Sequence, residues 1–226
     1  MKKKVLYTGV DPNGYGGEAE VFHHPLVSMQ IRSGSVKEVE DVFNSIYRYS
    51  HILFTSKYAV QAFFHSMKEM KIPKEYLEAV FILAIGAMTL KEIEKEGVYV
   101  TYVGSNETEA GVISLLETLD LEGSTLLLPQ SSMTRPKLIH YLVEKGIAYE
   151  VIILYDLLKE KPYTKLNLEE FDALIFTSPV GVEAFFEVYE DIIPSMEIHT
   201  MGLMTRCTLK KCLDKKAKKN EVNQWV

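Results

Sequence analysis

Strand-like and helix-like segments alternate along nearly the whole chain, and one strand-to-helix segment occurs twice. Together these predict an α/β protein with parallel sheets, built in two similar halves. Alternation predicts parallel pairing because a crossover helix returns the chain to the start of the sheet, so the next strand runs in the same direction. With 226 residues the chain falls between one large domain and two small ones, so the two halves rest on the repeat and not on length.

Residues 4–10 are rich in β-formers and run into the turn signal Asp11-Pro12-Asn13-Gly14, which predicts a buried strand followed by a loop. Residues 20–31 read as extended on both sides of Pro25. They lead to Ser33-Gly34-Ser35, where a serine can cap a helix whose Val36, Val39, Val42, Phe43 and Ile46 share one side. The alternation then becomes regular: strand 51–55, helix 57–71, strand 80–85, helix 89–96 stopped by Gly97, and a short strand 98–103. A helix over 107–119, an apolar strand 125–128, a helix 135–145 ending at Gly146 and a strand 150–158 follow. The last third repeats the grammar, with strands 173–176 and 198–201, a helix 182–189, and a Lys-rich amphipathic helix from 205 onward.

The composition is 47% hydrophobic and 25% charged, with a mean hydropathy of −0.01, which is enough apolar material for real cores and excludes disorder over the whole chain. The basic N-terminus reaches Gly9, Asp11 and Pro12 too soon to form a signal peptide, and no stretch approaches the roughly 18 apolar residues needed to cross a bilayer. A cytoplasmic protein without membrane contact is expected. The formal charge of −6, from 25 basic and 31 acidic residues, argues against nucleic acid as a partner, because phosphate contacts dominate that affinity. Cys207 and Cys212 fall on different faces of the Lys-rich helix, and the neighbouring His23 and His24 point to opposite sides of an extended segment, so no metal site is expected.

The repeat is most direct between HILFTSKYAVQAFF, from His51, and DALIFTSPVGVEAFF, from Asp172, which makes Ser56 and Ser178 equivalent. A second pair follows in the same order: AIGAMTLKEI from Ala84 and TMGLMTRCTLKK from Thr200 align Gly86 with Gly202 and Thr89 with Thr205. Each piece is an apolar strand that stops at a small or hydroxylated residue and starts a helix. Ser56, Thr89, Ser178 and Thr205 are therefore expected at helix N-caps beyond the C-terminal ends of strands, where open α/β sheets bind ligands. The plainer role of such hydroxyls is to satisfy orphan helix N–H groups, worth about 1 kcal/mol each. Four of them in two matched pairs point further, to a ligand site between duplicated halves.

The doubled FTS turn, the paired G-x-x-T turns and the segment LLLPQSSMTRPKLIHYLVEKGIAYEVIILYDL resemble the uroporphyrinogen-III synthase family over about residues 5–209. The resemblance implies two similar flavodoxin-like lobes, one discontinuous (1–26 and 160–226) and one inserted (34–152), joined by hinge strands at 27–33 and 153–159. It implies a monomeric enzyme that uses no cofactor. Its substrate would be the linear tetrapyrrole hydroxymethylbilane, closed to a macrocycle with loss of water and inversion of ring D through a spiro intermediate. On this resemblance Tyr155 is the catalytic candidate, since a phenol with an ordinary pKa of about 10 stays protonated and can donate to the departing hydroxyl. Ser56, Lys57, Gly86, Thr89, Ser178, Gly202 and Thr205 become substrate-binding candidates, with Arg135 a further cation near a loop end, outside the catalytic set. Two departures stand out: Gly9 and a Gly-rich loop follow the first strand where the family has Arg and a helix, and the C-terminus lacks a final helix of the usual length.

A non-catalytic two-lobed binding or sensor module is the competing reading, because paired α/β lobes also serve that role. A nucleotide-dependent transferase has no support, since neither G-x-x-x-x-G-K-[ST] nor G-x-G-x-x-G occurs. A Ser hydrolase lacks its G-x-S-x-G elbow.

Overall fold

The computed structural model describes residues 2–15, 17–34, 36–104, 108–133, 136–190 and 195–223, with side chains as far as 217. Arg135, the suggested cation, and Ser35, a candidate helix cap, lie outside the described residues. In chain order the first elements are β1 (Lys4–Tyr7), β2 (Glu20–His23), β3 (Val27–Ile31), α1 (Lys37–Asn44), β4 (His51–Phe54), α2 (Lys57–Glu69), β5 (Phe81–Ile85) and α3 (Ala87–Lys95). They continue with β6 (Tyr102–Gly104), α4 (Glu109–Leu116), β7 (Thr125–Ser131), α5 (Pro136–Glu144), β8 (Ala148–Lys159), β9 (Ala173–Phe176), α6 (Pro179–Val188), β10 (Glu197–Thr200) and α7 (Leu203–Asn223). The chain divides into two compact units, Met1–Met29 with Leu157–Val226, and Gln30–Asp156, so the first is discontinuous in sequence.

The discontinuous unit holds a four-stranded sheet in the order β10-β9-β1-β2, parallel throughout. Every residue of β9, ALIF, is buried, the pattern of a strand covered on both faces. Leu6, Leu174 and Phe176 pack on one face against Val182 and Phe185 of α6 and Leu209 of α7. Val5, Tyr7, Ala173 and Ile175 form the other face, where Tyr15 and Ala19 of the loop after β1 pack, and Tyr15 stacks on Tyr7 at 5.1 Å.

The inserted unit is built on the order β3-β8-β7-β4-β5-β6, with parallel pairing from β8 through β6. Leu53, Leu83, Leu126 and Leu128 pack on one face with Leu138 and Leu142 of α5 and Val112 of α4. An aromatic cluster fills the α2 side, where Phe54 meets Phe63 edge-on at 5.2 Å and Phe63 meets Phe43 at 5.0 Å.

The duplication is wider than the sequence repeat. His51 pairs with Leu126, and Ala173, at the equivalent place in the repeat, pairs with Val5. The order β2-β1-β9-β10 therefore matches β8-β7-β4-β5 in register, although the strands matched to β1 and β2 lie at the end of the inserted unit.

Three expected boundaries change. β6 begins at Tyr102 and not at 98; at Thr101 the backbone N–H donates to the Ile82 carbonyl at 2.8 Å, but the Ile82 N–H goes to the Thr101 hydroxyl oxygen at 3.1 Å in place of a backbone carbonyl. β8 runs to twelve residues. The C-terminal helix expected to be short is α7, of 21 residues; its Leu209 and Cys212 pack on the α6 core, and that packing extends a polar sequence into a long helix.

Candidate functional site

In the inserted unit the chain runs β4 to β5 to β6 in one direction across the sheet, then returns to the other side of β4 for β7 and β8. The order reverses between β4 and β7. In the discontinuous unit it reverses between β1 and β9. Crevices at the C-terminal ends of strands beside such reversals are the ligand sites of open α/β sheets. Ser56, Lys57 and Gly86 follow strands of the inserted unit; Ser178 and Gly202 follow strands of the discontinuous one.

In the inserted unit Ser56 is extended (φ −159°, ψ 151°) and its Oγ accepts the Ala59 N–H at 3.1 Å, capping α2. The same Oγ lies 3.0 Å from the Tyr155 Oη. Since β7 stands between β8 and β4, this hydrogen bond crosses the end of β7. Tyr155 is 5% exposed, and its ring is 6.4 Å from that of Tyr58. Lys57 is also buried at 5%, with its Nζ 5.3 Å from the centre of the Tyr58 ring, within cation–π range. Ser56, Tyr155, Tyr58 and Lys57 thus make one cluster.

Thr89 and Thr205 are not helix caps. Gly86 is the residue before α3, at φ 82°, and Gly202 the residue before α7, at φ 80°; their carbonyls accept the N–H of Leu90 at 3.1 Å and of Arg206 at 3.2 Å. The chain turns from strand to helix through a left-handed residue, which favours glycine, so the glycine takes the cap position. Each threonine sits in the first turn, at 3% and 2% exposure.

In the discontinuous unit Ser178 repeats the geometry of Ser56, with φ −152° and ψ 155°, its Oγ accepting the Gly181 N–H at 3.1 Å ahead of Pro179. Across the order reversal, at the end of β1, a Cβ on Gly9 would lie 2.6 Å from the Tyr7 Oη and 2.7 Å from the Thr177 Oγ1, so only glycine fits. The Gly9 carbonyl lies 2.8 Å from the His23 Nε2. Thr8 Oγ1 and His24 Nε2 are buried without a hydrogen-bond partner among the described residues, and burial, with His23 alongside, holds the His24 imidazole below its ordinary pKa.

Sequence reasoning missed three polar residues near Tyr155. Arg32 binds Asp156 through two hydrogen bonds, Nε to Oδ2 at 2.9 Å and Nη2 to Oδ1 at 3.2 Å, and this pairing holds the Asp156 carboxyl below its ordinary pKa. Gln130, the last polar side chain but one in β7, is 5% exposed and its Nε2 has no partner among the described residues. A glutamine directly after the apolar stretch of TLLLPQS was the one signal available for it. The start of α5 is already filled from within: Glu109 Oε1 accepts the N–H groups of Lys137 and Leu138 at 3.2 and 3.4 Å.

A parallel α/β lobe interrupted in sequence by a second lobe of matching register defines a two-lobed α/β protein of duplicated design. The family model for uroporphyrinogen-III synthase HemD matches residues 15–222, and the chain belongs to that family. A protein of Methanothermobacter thermautotrophicus that bears the name uroporphyrinogen-III synthase provisionally is 27% identical over 186 residues, 77% of this chain and 70% of that one. Among solved structures, a mutant uroporphyrinogen-III synthase of the extremely thermophilic bacterium Thermus thermophilus aligns with a TM-score of 0.59 at 18% identity, covering 93% of this chain and 89% of that one. The uroporphyrinogen-III synthetase of Helicobacter pylori aligns at 0.58 and 19%, with the same coverage. At these identities the structures establish the fold alone.

Proposed function

We propose that this chain is a uroporphyrinogen-III synthase, a cyclising hydro-lyase of haem biosynthesis. It acts in the cytoplasm as a monomer without a cofactor, and converts hydroxymethylbilane to the ring-D-inverted macrocycle. We take the lobes as 1–26 with 160–226 and 34–152, each lying within one of the two compact units, and the strands at 27–33 and 153–159, through which the chain passes between the units, as the hinge.

The observation that carries this reading is the Ser56–Tyr155 hydrogen bond. The Ser56 Oγ accepts from Ala59 and keeps both its proton and a second lone pair, so either hydroxyl can donate in the bond to Tyr155. When Ser56 donates, the Tyr155 hydroxyl can in turn donate to the substrate, and a chain of such bonds strengthens each member. The substrate's hydroxymethyl C–O bond breaks as Tyr155 donates to the leaving oxygen, water departs, and a delocalised pyrrole cation remains. A carbon–carbon bond from the cationic methylene to the bridged α-carbon of ring D gives the spiro intermediate; the old bridge bond then breaks and re-forms at the free α-carbon, whose departing proton balances the one taken up by the leaving hydroxyl. Since the cation forms easily and unassisted closure gives the uninverted type I isomer, the larger task is geometric.

The substrate brings eight carboxylates to a chain of net charge −6. The starts of α2, α3, α6 and α7 offer backbone N–H groups that take carboxylates without side-chain cations, each contributing roughly 0.3–1 kcal/mol. Ser56, Gly86, Thr89, Ser178, Gly202 and Thr205 shape these four starts, with Lys57 as an added positive charge beside the first.

The test is an assay with freshly generated hydroxymethylbilane, resolving type I from type III product after oxidation. Wild type is expected to give type III, and Tyr155→Phe to lower kcat about 100- to 10,000-fold with unchanged folding, as for loss of one acid–base group. Type I alone from folded wild type would remove the synthase reading and favour a binding module. Full type III turnover by Tyr155→Phe would remove Tyr155 from the reaction.

A further inference from the structure

Gln130 has no evident structural reason to be where it is. It follows the apolar run from Leu126 to Pro129 in β7, is 5% exposed, and its Nε2 is buried with no acceptor among the described residues. Leaving such a donor unmet costs about 1–3 kcal/mol, whereas an apolar residue of the same shape costs nothing comparable. Folded chains keep few such groups.

Its position supplies the reason. β7 is the strand on one side of the order reversal, next to β4, which leads into Ser56, and next to β8, which carries Tyr155. The β7–β8 register slips immediately after Gln130: Gln130 pairs with Ile153, but Ser131 pairs with Tyr155, so β8 has one extra residue there. Irregularities of this kind re-aim side chains and collect beside active sites. The Tyr155–Ser56 hydrogen bond crosses the same strand end.

We propose that Gln130 is a further substrate-contacting residue, whose amide N–H donates to a carboxylate of the linear tetrapyrrole at the strand-end site of Ser56 and Tyr155. The inference rests on the synthase reading above and adds a specificity-determining donor to it. An amide suits the task because it donates to a carboxylate without the desolvation cost of a buried cation. Its terminal torsion is broad, so the donor turns toward an arriving acceptor. The ligand then supplies the acceptor for this amide.

The experiment measures kcat, KM for hydroxymethylbilane and the thermal midpoint for wild type, Gln130→Leu and Gln130→Glu. For Gln130→Leu, KM is expected to rise roughly tenfold, the loss of one charge-assisted hydrogen bond. The thermal midpoint should stay or rise, because the variant removes an unmet donor. Gln130→Glu should raise KM further by setting like charge against the carboxylate. A Gln130→Leu enzyme with unchanged KM overturns the inference, whether its midpoint rises, which makes the amide a mere liability, or falls, which gives it a structural partner. Should Gln130→Leu fail to fold, Gln130→Glu decides, and an unchanged KM there overturns the proposal. Wild type that forms no type III product removes the synthase reading itself. Active wild type with an indifferent Gln130 removes only this residue.

Discussion

Among the described residues the hydroxyl of Ser56 has two partners where that of Ser178 has one. Both cap a helix, at 3.1 Å to the N–H three residues on, but only Ser56 also meets a tyrosine. Ser56→Ala and Ser178→Ala should therefore each lower stability by about 1 kcal/mol, the usual worth of a cap, measured by denaturant titration. Beyond that shared loss, Ser56→Ala should lower kcat severalfold more than Ser178→Ala, because it also removes the hydrogen-bond partner that positions the Tyr155 hydroxyl. Equal kcat values for the two variants would detach Ser56 from Tyr155. The two serines were legible as caps because an FTS strand end repeats with the same helix after it. The two threonines misled, because a hydroxyl at a helix start looks alike in sequence whether it caps or packs one turn in. What decided their place was the handedness needed at Gly86 and Gly202. Gln130 and the Arg32–Asp156 pair left almost no trace, since their partners and neighbours are set by strand order across the sheet and not by local pattern.

Where strands end and helices begin, the paired glycines set the geometry. At φ 82° and 80° an alanine is strained by roughly 1–3 kcal/mol, so Gly86→Ala and Gly202→Ala should each lower the thermal midpoint by similar amounts. An effect confined to one of them would show that the two turns are not equivalent. A second device joins β8 to the residue just past β3, the Arg32–Asp156 pair beside Tyr155. The Asp156 carboxyl is held below its ordinary value, chiefly by the Arg32 hydrogen bonds, so the pair's contribution is complete above the unfolded carboxyl's pKa of about 3.9 and disappears as pH falls through the lower folded value. Wild type should thus be more stable than Asp156→Asn at pH 7, and the gap should close in acid, below about pH 4. The pair is partly exposed, so the gap is modest. A gap independent of pH would assign the effect to packing. At this scale the alternation was readable almost element by element, and the errors lie at ends: a threonine hydroxyl delays β6, and packing on α6 prolongs α7.

Over the whole molecule the sequence repeat covers only half of the duplication. It joins β4-α2-β5-α3 to β9-α6-β10-α7, while β7 and β8 match β1 and β2 in strand order and register alone. Interior parallel strands need only an apolar run of the right length, so VLY and LLL serve equally and no repeat survives to be read. Charge is the other property that belongs to the molecule as a whole. A chain of net charge −6 and a substrate with eight carboxylates repel at long range, while the proposed contacts, helix N–H groups and the Gln130 amide, act only within a turn or a hydrogen bond. Salt shortens the first interaction and hardly touches the second, since the screening length is about 10 Å at 0.1 M. The proposed synthase should therefore show kcat/KM rising with ionic strength from about 10 to 150 mM, with kcat nearly constant. A steep fall over the same range would mean that clustered cations steer the substrate, and would move the weight of recognition from the neutral donors at the strand ends to lysines such as Lys57.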